Sequence, residues 1–400
     1  MTPFLRKILG MNWVFVLVMY GLLVFGVFMI ESAARHLTVS REVLEQFGSA
    51  GAYFASKQKT FVLIGSVAYF AAAFVDYRWI RWLGIPFYVV SLGLLAMAMI
   101  RDDDVHQLPL PGGLTFQPAQ LGITAGILLI AWLIQDLPKL HRWLGAPFVK
   151  IGIIGAVSAV PFLMVMKMGD MGSALVWIPV AIVALIVGGI PFRYLSCMSF
   201  IAAGIIPLLY FVALPIVSKR GPERIDTWLR MMQGREVDIQ GAAYSPYYVS
   251  MAVGKAGWKG VGYKATEGSG SLLAKGFGSK TTAHNDYIFG VIAEELGFRG
   301  SLLLLTAFAL LLIQGLFIAF YSRDVAGRLL ACLVVALFFA HIFESIGMCV
   351  LIMPVTGIPL PLISYSGTFV VICMFLLGLV QSVWVHRNWK PEIQVKQAEA

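Results

Sequence analysis

The chain is poor in charge. Asp, Glu, Lys and Arg together make up only 13% of its 400 residues, while hydrophobic residues make up 59%. This balance excludes a soluble globular domain, in which about a quarter of the residues are charged. Apolar runs of about 20 residues, each long enough to cross a bilayer core of roughly 30 Å, recur along the whole sequence. The composition therefore predicts a polytopic α-helical membrane protein rather than a β-barrel, which shows alternating segments of ~10 residues.

Paired cysteines and histidines are also lacking. The four cysteines occur singly in or beside apolar segments, and no pair has the spacing of a metal site or a redox motif. The six histidines are scattered, with no pair spaced i, i+4. The sequence shows no nucleotide-binding signature and no internal repeat. These absences argue against a dedicated Cys or His metal site, a dithiol oxidoreductase and a nucleotide-driven enzyme.

The apolar runs predict about ten transmembrane helices. Their approximate bounds are residues 12–31, 59–76, 82–100, 117–135, 148–167, 172–190, 195–217, 287–320, 328–353 and 366–386. The first run exceeds the 7–15 apolar residues of a signal peptide and is followed by further runs, so we expect it to be a retained helix. The eighth run is longer than one crossing needs. We expect residues 1–400 to form one all-α, multi-pass membrane domain.

Lysine and arginine in the short connections predict the orientation. One set of connections is basic, with Arg78 and Arg81 as an example, whereas the opposite set includes Asp102–Asp104 and the nearly uncharged segment 354–367. We expect the basic set to face the cytoplasm. An even number of spans then places both termini in the cytoplasm.

One long loop, residues 218–285, separates the seventh and eighth spans. It carries ten basic and five acidic residues, a net charge of +5 that is over half of the chain's +9. Loops this long are largely exempt from the orientation rule, so we expect this loop to be extracytoplasmic. Its basic character favours an anionic partner, such as lipid phosphate, pyrophosphate or an acidic polymer, although attraction to lipid headgroups alone would also explain it. Its aromatic residues and dense glycines indicate amphipathic surface segments joined by tight turns.

Acidic residues in or beside apolar spans are costly and are therefore candidates for function. Asp286 lies where the long polar loop turns into the eighth span, so it can be hydrated and reached from outside. Glu294 and Glu295 follow about 12 Å and 13.5 Å further along a continuous helix. At 100° per residue the three side chains cannot all face one small site. We expect Asp286 to be the functional carboxylate. Each glutamate is either functional or a buried partner for a basic or polar group in a neighbouring helix.

Two further acidic positions have structural as well as functional interpretations. Asp170 lies at a predicted helix start, where a carboxylate is favoured as a cap, with Lys167 nearby as a potential partner. Glu344 and His341 lie three residues apart on one face of the ninth span, and either could pair with the other or with a basic group elsewhere.

Three prolines and two glycines between Met353 and Gly367 exclude a regular helix before the last span. Irregular backbone at membrane depth is tolerated only where it is buried in protein or lines a cavity. We therefore predict a rigid cavity wall that includes Pro361, with Ser364 as a polar contact.

Four segments, in this order, resemble motifs of the SEDS family (shape, elongation, division and sporulation proteins). Residues 284–289 (HNDYIF) with 294–297 (EELG) are similar to the family's HTDFIF and EELG. Residues 354–361 (PVTGIPLP) with Ser364-Tyr365 are similar to its PVTGIPLP and SYGGS. Residues 116–118 resemble its FQPSE, and 170–174 its DLGTA. The resemblance covers essentially all ten spans, and the short tails and the ending VWVHR favour its RodA branch over its FtsW branch.

The resemblance implies a function. SEDS proteins are glycosyltransferases that polymerise lipid II, an undecaprenyl-pyrophosphate-linked disaccharide peptide, into peptidoglycan strands at the outer face of the bacterial cytoplasmic membrane. They work with a class B penicillin-binding protein that supplies crosslinking. The family's proposed catalytic aspartate corresponds to Asp286. A divalent cation, Mg²⁺ or Mn²⁺, that assists the pyrophosphate is compatible with the same resemblance, and no nucleic-acid partner is indicated.

The sequence also departs from the family pattern. Gln120 and Ile123 replace the Glu and Lys of FQPSExxK, and Gln107-Leu108 replaces a preceding Arg-Trp. Residues 260–262 read GVG where the family has GKG, and residues 365–368 read YSGT where it has YGGS. A Glu and a Lys are lost together, which keeps the charge balance. Either a structural ion pair has been replaced, or the loss alters substrate contacts or weakens the enzyme.

Glycan polymerisation needs a base for the acceptor hydroxyl and positive charge at the departing pyrophosphate. We predict that Asp286 is the base, with a pKa raised by burial. Six residues are predicted substrate contacts, the first four for pyrophosphate: Arg224, Arg230, Lys255, Lys259, His284 and Ser364. Two alternatives stay open at this point, a lipid-precursor flippase or proton-coupled carrier and a scaffold that only recruits a synthase. An FtsW-like septal polymerase is the alternative within the family.

Overall fold

The computed structural model describes residues 3–100, 108–110, 114–208, 220–277 and 282–387. Several positions used above lie outside these ranges, namely Asp102–Asp104, Gln107, Lys219, Lys280 and the end of the seventh predicted span. The described residues form α-helices and one small antiparallel hairpin, in which Leu108 pairs with Phe116 and Leu110 with Leu114.

The helices follow the apolar runs of the sequence. Their bounds are α1 Pro3–Leu9, α2 Trp13–Ala33, α3 Arg41–Phe47, α4 Ala50–Phe74, α5 Ile80–Ile100, α6 Pro118–Leu140, α7 Pro147–Lys167, α8 Met171–Leu175, α9 Trp177–Val187, α10 Phe192–Leu208, α11 Arg220–Met232, α12 Tyr244–Lys255, α13 Ile288–Phe320, α14 Val325–Cys349 and α15 Thr368–Val385. The hairpin strands are β1 Leu108–Leu110 and β2 Leu114–Phe116. Short 3₁₀ turns occupy Tyr77–Trp79, Arg142–Gly145 and Glu267–Ser269.

Each of the ten predicted spans coincides with a helix or, for the sixth, with the consecutive helices α8 and α9. Within the described part of the chain, seven helices are long and apolar enough to cross a membrane, and the apolar stretch Met171–Val187 is shorter. These helices confirm the predicted all-α, polytopic membrane fold. Side-chain caps define several starts: Asn12 accepts a hydrogen bond from the Phe15 N–H (3.1 Å), and Ser49 from the Ala52 N–H (3.1 Å).

The helix α14 lies at the centre of the bundle. In its most apolar window 72% of residues are buried, against 28% for α5 and for α7. Exposed apolar side chains on those two helices, such as Val89, Val90 and Leu163, face outward. In a membrane protein such surfaces meet lipid, so α5 and α7 form part of the periphery.

The helix α13 is not continuous. Gly297 interrupts it with φ 68° and ψ −166°, a conformation that favours glycine. We call residues 288–296 the short arm and residues 298–320 the long arm. At 1.5 Å per residue the long arm measures about 34 Å, which is enough to cross a bilayer by itself. The extra length of the eighth predicted run is therefore the short arm, which is a separate element.

The 218–285 loop is folded onto the bundle wherever it is described. It contains α11 and α12, and several of its glycines have positive φ, as expected for tight turns. Arg35, just beyond the end of α2, donates hydrogen bonds to the carbonyls of Lys264 (2.7 Å) and Ala265 (2.5 Å). Tyr263 donates to the Phe28 carbonyl (3.0 Å), and Lys264 pairs with Glu31. The loop is thereby fixed to one end of α2.

Candidate active site

Asp286 lies in a turn immediately before the short arm. The carbonyl of Thr282 accepts hydrogen bonds from the backbone N–H groups of Asn285 (3.1 Å), Asp286 (3.0 Å) and Tyr287 (3.4 Å). These bonds close the turn and hold Asp286 two residues before α13 begins. Its side chain is partly buried.

The proline-rich segment 354–367 packs directly against this turn. The Ser364 hydroxyl accepts a hydrogen bond from the Leu360 N–H (2.8 Å) and donates to the Asn285 carbonyl (2.5 Å), and the Tyr365 N–H donates to the His284 carbonyl (3.0 Å). The segment is thus a rigid wall beside the turn. Ser364 is fully buried and its hydroxyl is engaged within the fold. Its contact with substrate stays a prediction.

The wall comes close to the carboxylate at Gly357. This residue has φ 75°, and a β-carbon at this position would lie 3.7 Å from Oδ2 of Asp286. Gly357 is itself exposed, whereas Pro361 is buried within the wall. Gly357 therefore leaves room beside the carboxylate, and Pro361 supports the wall from behind.

Electrostatics distinguish Asp286 from an ordinary aspartate. Burial raises the pKa of Asp286 to about 7, the nearby Asp170 adds to this rise, and the Arg224 guanidinium opposes it. The carboxyl group therefore exchanges its proton near neutral pH. A base with such a pKa is well matched to proton transfer at physiological pH.

Asp170 is held in place by two hydrogen bonds. Its Oδ1 accepts from the Ser173 N–H (3.0 Å) and so caps α8, as predicted, while its Oδ2 accepts from the Gln117 amide (2.9 Å). The expected partner Lys167 is exposed, so the partner seen is Gln117. Apart from its place in the FQP motif, nothing in the sequence indicated this role of Gln117.

Arg224 is the predicted cation that the structure brings to Asp286. It lies on α11, and its Nη1 donates to the Val355 carbonyl (3.4 Å), while Trp228 on the same helix donates to the Leu351 carbonyl (2.8 Å). These bonds dock α11 beside the wall. A cavity of about 440 Å³ lies between α11 and α12, lined by residues that include Arg224, Trp228, Ser245 and Tyr287, the neighbour of Asp286.

The other predicted cations lie elsewhere on the loop. Arg230 forms an exposed ion pair with Asp226 at 2.8 Å. Lys255 ends α12, Lys259 follows it, and both are exposed. Contact of these three residues with substrate stays a prediction.

His284 is a packing residue in this structure. Its ring is 5% exposed and lies 4.7 Å from the ring of Phe54 and 5.5 Å from that of Tyr365, measured between centroids. Burial lowers the pKa of His284 to about 4, so the ring is neutral at pH 7. His284 therefore supplies no positive charge for a phosphate at neutral pH, and any contact with substrate would be a neutral hydrogen bond.

Both glutamates lie on the short arm and point to different partners. The Glu294 carboxylate accepts hydrogen bonds from the Ser271 hydroxyl (2.8 Å) and from the N–H groups of Leu272 (2.6 Å) and Leu273 (3.4 Å). Glu295 accepts one from the Ser32 hydroxyl on α2 (2.6 Å). As expected from their spacing, neither shares a site with Asp286, and both are buried groups with polar partners. The partners of Glu294 come from the loop rather than from a neighbouring helix.

The charges missing from the FQP motif have been replaced by neutral packing. Gln120 is buried and its amide donates to the Ser173 hydroxyl (3.4 Å), and Ile123 is fully buried. The region therefore keeps a packed contact with α8. In α14, Glu344 lies within the electrostatic reach of Asp170. Both ring nitrogens of His341 lack a hydrogen-bond partner among the described residues, so His341 and Glu344 do not pair.

The fit of a divalent cation can be judged from the available ligands. Among the described residues, no group of three or more His, Cys, Asp or Glu side chains could hold a metal ion. The described side chains therefore do not assemble a protein-built metal cage, and the predicted cation stays a prediction.

The fold and site define a class of protein: a polytopic α-helical membrane protein with a partly buried carboxylate of raised pKa, whose chain neighbour Tyr287 lines a cavity. A family model described as a cell cycle protein, FtsW/RodA/SpoVE, matches residues 12–389. The chain belongs to this family, which confirms the resemblance to SEDS proteins.

Individual relatives are similar along most of their length. The peptidoglycan glycosyltransferase MrdB of Escherichia coli K12 is 29% identical over 312 residues, which cover 78% of this chain and 79% of MrdB. A probable peptidoglycan glycosyltransferase FtsW of Geobacter metallireducens is 26% identical over 393 residues, covering 97% and 98%.

Solved structures share the fold. One chain of a peptidoglycan synthase complex that coordinates polymerization and crosslinking superposes with a TM-score of 0.75 at 22% identity, over 95% of this chain and 99% of that one. The Rod shape determining protein RodA of Thermus thermophilus gives a TM-score of 0.61 at 23% identity, covering 95% and 98%.

Proposed function

We propose that this protein is a peptidoglycan glycosyltransferase that polymerises lipid II. The family and the names of its relatives support the activity. The observation within the chain that carries the proposal is Asp286, a carboxyl group with a pKa near 7 on which the Arg224 guanidinium acts; Arg224 and Tyr287, the neighbour of Asp286, both line the cavity.

In the proposed reaction, Asp286 accepts the proton of the acceptor sugar hydroxyl as the hydroxyl oxygen attacks the anomeric carbon of the donor. A new glycosidic C–O bond forms, and the bond to the pyrophosphate breaks, with its electron pair leaving on the phosphate oxygen. Arg224 lies close enough to Asp286 to influence its pKa, so its guanidinium is the best placed of the predicted cations to stabilise that charge. The rigid wall 354–367 orients the turn that carries the base. General-base catalysis of this kind contributes about 10²–10⁴-fold.

A divalent cation would supply further charge neutralisation at the pyrophosphate. The steps above depend on Asp286 and Arg224 alone.

We further propose the membrane arrangement that the charge pattern predicts. The protein lies in the bacterial cytoplasmic membrane with both termini in the cytoplasm, and the 218–285 loop and Asp286 face outward. A class B penicillin-binding protein is the proposed partner; the similar chain in a complex for polymerization and crosslinking supports such an assembly. A role in cell elongation is proposed over septal synthesis because residues 383–387 (VWVHR) resemble the RodA branch.

The activity is tested with purified protein, its partner and lipid II in vesicles, by resolving glycan strands on a gel. Wild type is expected to make strands and Asp286→Asn to make none. Glu45→Gln is the matched control, since Glu45 is an exposed member of a surface ion pair with Arg41 and should leave the rate unchanged. Transbilayer movement of labelled lipid without strand formation would favour the flippase and overturn the proposal.

A further inference from the structure

The break in α13 is filled by backbone from the loop. Beyond the break, the Phe298 N–H donates to the Gly257 carbonyl (2.9 Å) and the Arg299 N–H to the Trp258 carbonyl (3.3 Å). Before it, the carbonyls of Glu294 and Glu295 accept from the N–H groups of Val261 and Gly262, both at 2.9 Å. A helix normally satisfies these groups within itself. Here residues 257–262 supply the bonds that the interrupted helix lacks.

Two glycines make this insertion possible. A β-carbon on Gly297 would lie 2.6 Å from the Trp258 carbonyl oxygen, and one on Gly260 would lie 2.5 Å from the Gly297 nitrogen. Both distances are far below van der Waals contact, and both glycines have positive φ (68° and 72°). Each glycine is therefore required by the backbone of the other segment.

The loop contacts the short arm at two further places. The Glu294 carboxylate accepts three hydrogen bonds from residues 271–273, and Glu294 is 3% exposed. On α12, Val249 packs against Gly290 so closely that a β-carbon at Gly290 would lie 2.6 Å from it. The loop thus holds the short arm near its start, near its end and at the break.

This arrangement separates the short arm from the long arm mechanically. In a continuous helix, the membrane-spanning part would determine the orientation of Asp286. Because α13 is broken at Gly297, the loop instead determines the orientation of the short arm that follows Asp286. We propose that residues 257–277 form a positioning scaffold for Asp286, with Glu294 and Gly260 as positioning residues. The proposal rests on the glycosyltransferase function proposed above, and it assigns neither residue a contact with substrate.

The consequence for catalysis is a change in turnover rather than in substrate affinity. A displacement of a catalytic group by about 1 Å costs on the order of 10²-fold in rate. Glu294→Gln turns one acceptor oxygen into an NH₂ group that faces backbone donors, so the loop should release the short arm. Gly260→Ala should separate the two backbones at the break.

The first experiment measures glycan synthesis. For Glu294→Gln and Gly260→Ala, kcat is expected to fall about 10- to 100-fold with KM within about twofold. The acid limb of the kcat profile should move to lower pH, because a displaced Asp286 is less buried. Asp170 and Arg224 are the charged groups that act on the pKa of Asp286, and neither variant alters them. Ser271→Ala removes one of three donors to Glu294 and should give a smaller loss of kcat. This variant tests the proposal if Glu294→Gln and Gly260→Ala do not fold.

Matched controls separate positioning from general damage. Gly254→Ala lies in α12 with nothing within 4 Å of the added β-carbon, and Glu236→Gln is on the exposed surface. Both should retain the wild-type kcat and pH profile. Folded Ser271→Ala and Glu294→Gln proteins with wild-type kcat and an unmoved acid limb would overturn the proposal.

A second experiment is independent of activity. Hydrogen–deuterium exchange in Glu294→Gln or Ser271→Ala should accelerate at least tenfold in peptides covering 282–296 and remain unchanged in the long arm. If wild type makes no glycan, the proposed function fails, and this exchange pattern still decides the positioning proposal. Equal exchange in variant and wild type would refute it.

Discussion

Asp286→Asn should abolish glycan synthesis and, at alkaline pH, stabilise the folded protein. The pKa of Asp286 is raised from 3.8 to about 7, chiefly by burial. Ionisation is therefore less favourable in the folded state than in the unfolded state. The resulting loss of stability is absent below about pH 4, grows between pH 4 and 7 and is complete above pH 7.

The size of this loss of stability follows from the shift in the pKa of Asp286. About three pKa units at 1.36 kcal/mol each give an upper limit of about 4 kcal/mol. The side chain is only partly buried, and solvent screening reduces this figure, so we expect roughly 2 kcal/mol. For a protein of this length that corresponds to a rise in Tm of about 3 °C at pH 8.

The assay is thermal unfolding in detergent at pH 5 and pH 8, alongside the glycan assay. Asp286→Asn should gain stability over wild type at pH 8 and lose most of this gain at pH 5. Asp226→Asn, an exposed control, should show no gain at either pH. A gain of equal size at both pH values, or a loss at pH 8, would refute the assignment of a raised pKa to Asp286.

Three further predictions concern neighbours and packing. Arg224→Gln removes the cation that lowers the pKa of Asp286, so the acid limb of the rate profile should move to higher pH. Initial rates measured as a function of pH test this shift. Asp170→Asn removes the anion that raises it, so the limb should move to lower pH; Asn still caps a helix, which limits structural damage. Gly126→Ala places a β-carbon in steric overlap with the edge of the Trp177 indole and should cost about 1–3 kcal/mol in unfolding measurements, whereas Gly152→Ala meets no atom within 4 Å and should not.

The helical architecture was readable from the sequence because long apolar runs have few alternatives in a bilayer. The position of Asp286 was readable for the same reason, since charge is costly at the edge of such a run. The pairing of Asp170 with Gln117 and the approach of Arg224 to Asp286 could not be predicted from the sequence. The residues of each pair lie far apart in the chain, and nothing local specifies their contact.

The break at Gly297 shows the limit most clearly. The sequence predicted one long eighth span, because a single glycine in an apolar helix does not by itself indicate a break. The break exists because residues 257–262 supply the missing hydrogen bonds. The only local signal was the density of glycines in the loop, which predicted turns but not their partner. For the same reason the sequence did not show that the partners of Glu294 come from the loop, where the Ser271 hydroxyl and two backbone N–H groups donate to it.

The central claim is that this protein polymerises lipid II with Asp286 as the base. The most direct measurement is the glycan ladder formed from lipid II by the purified protein with its partner synthase, for wild type and Asp286→Ala side by side. Wild type is expected to make strands and Asp286→Ala to make none, with Glu45→Ala at the wild-type rate. Strands of wild-type yield from Asp286→Ala would contradict the assignment of the base, and no strands from wild type would contradict the proposed activity itself.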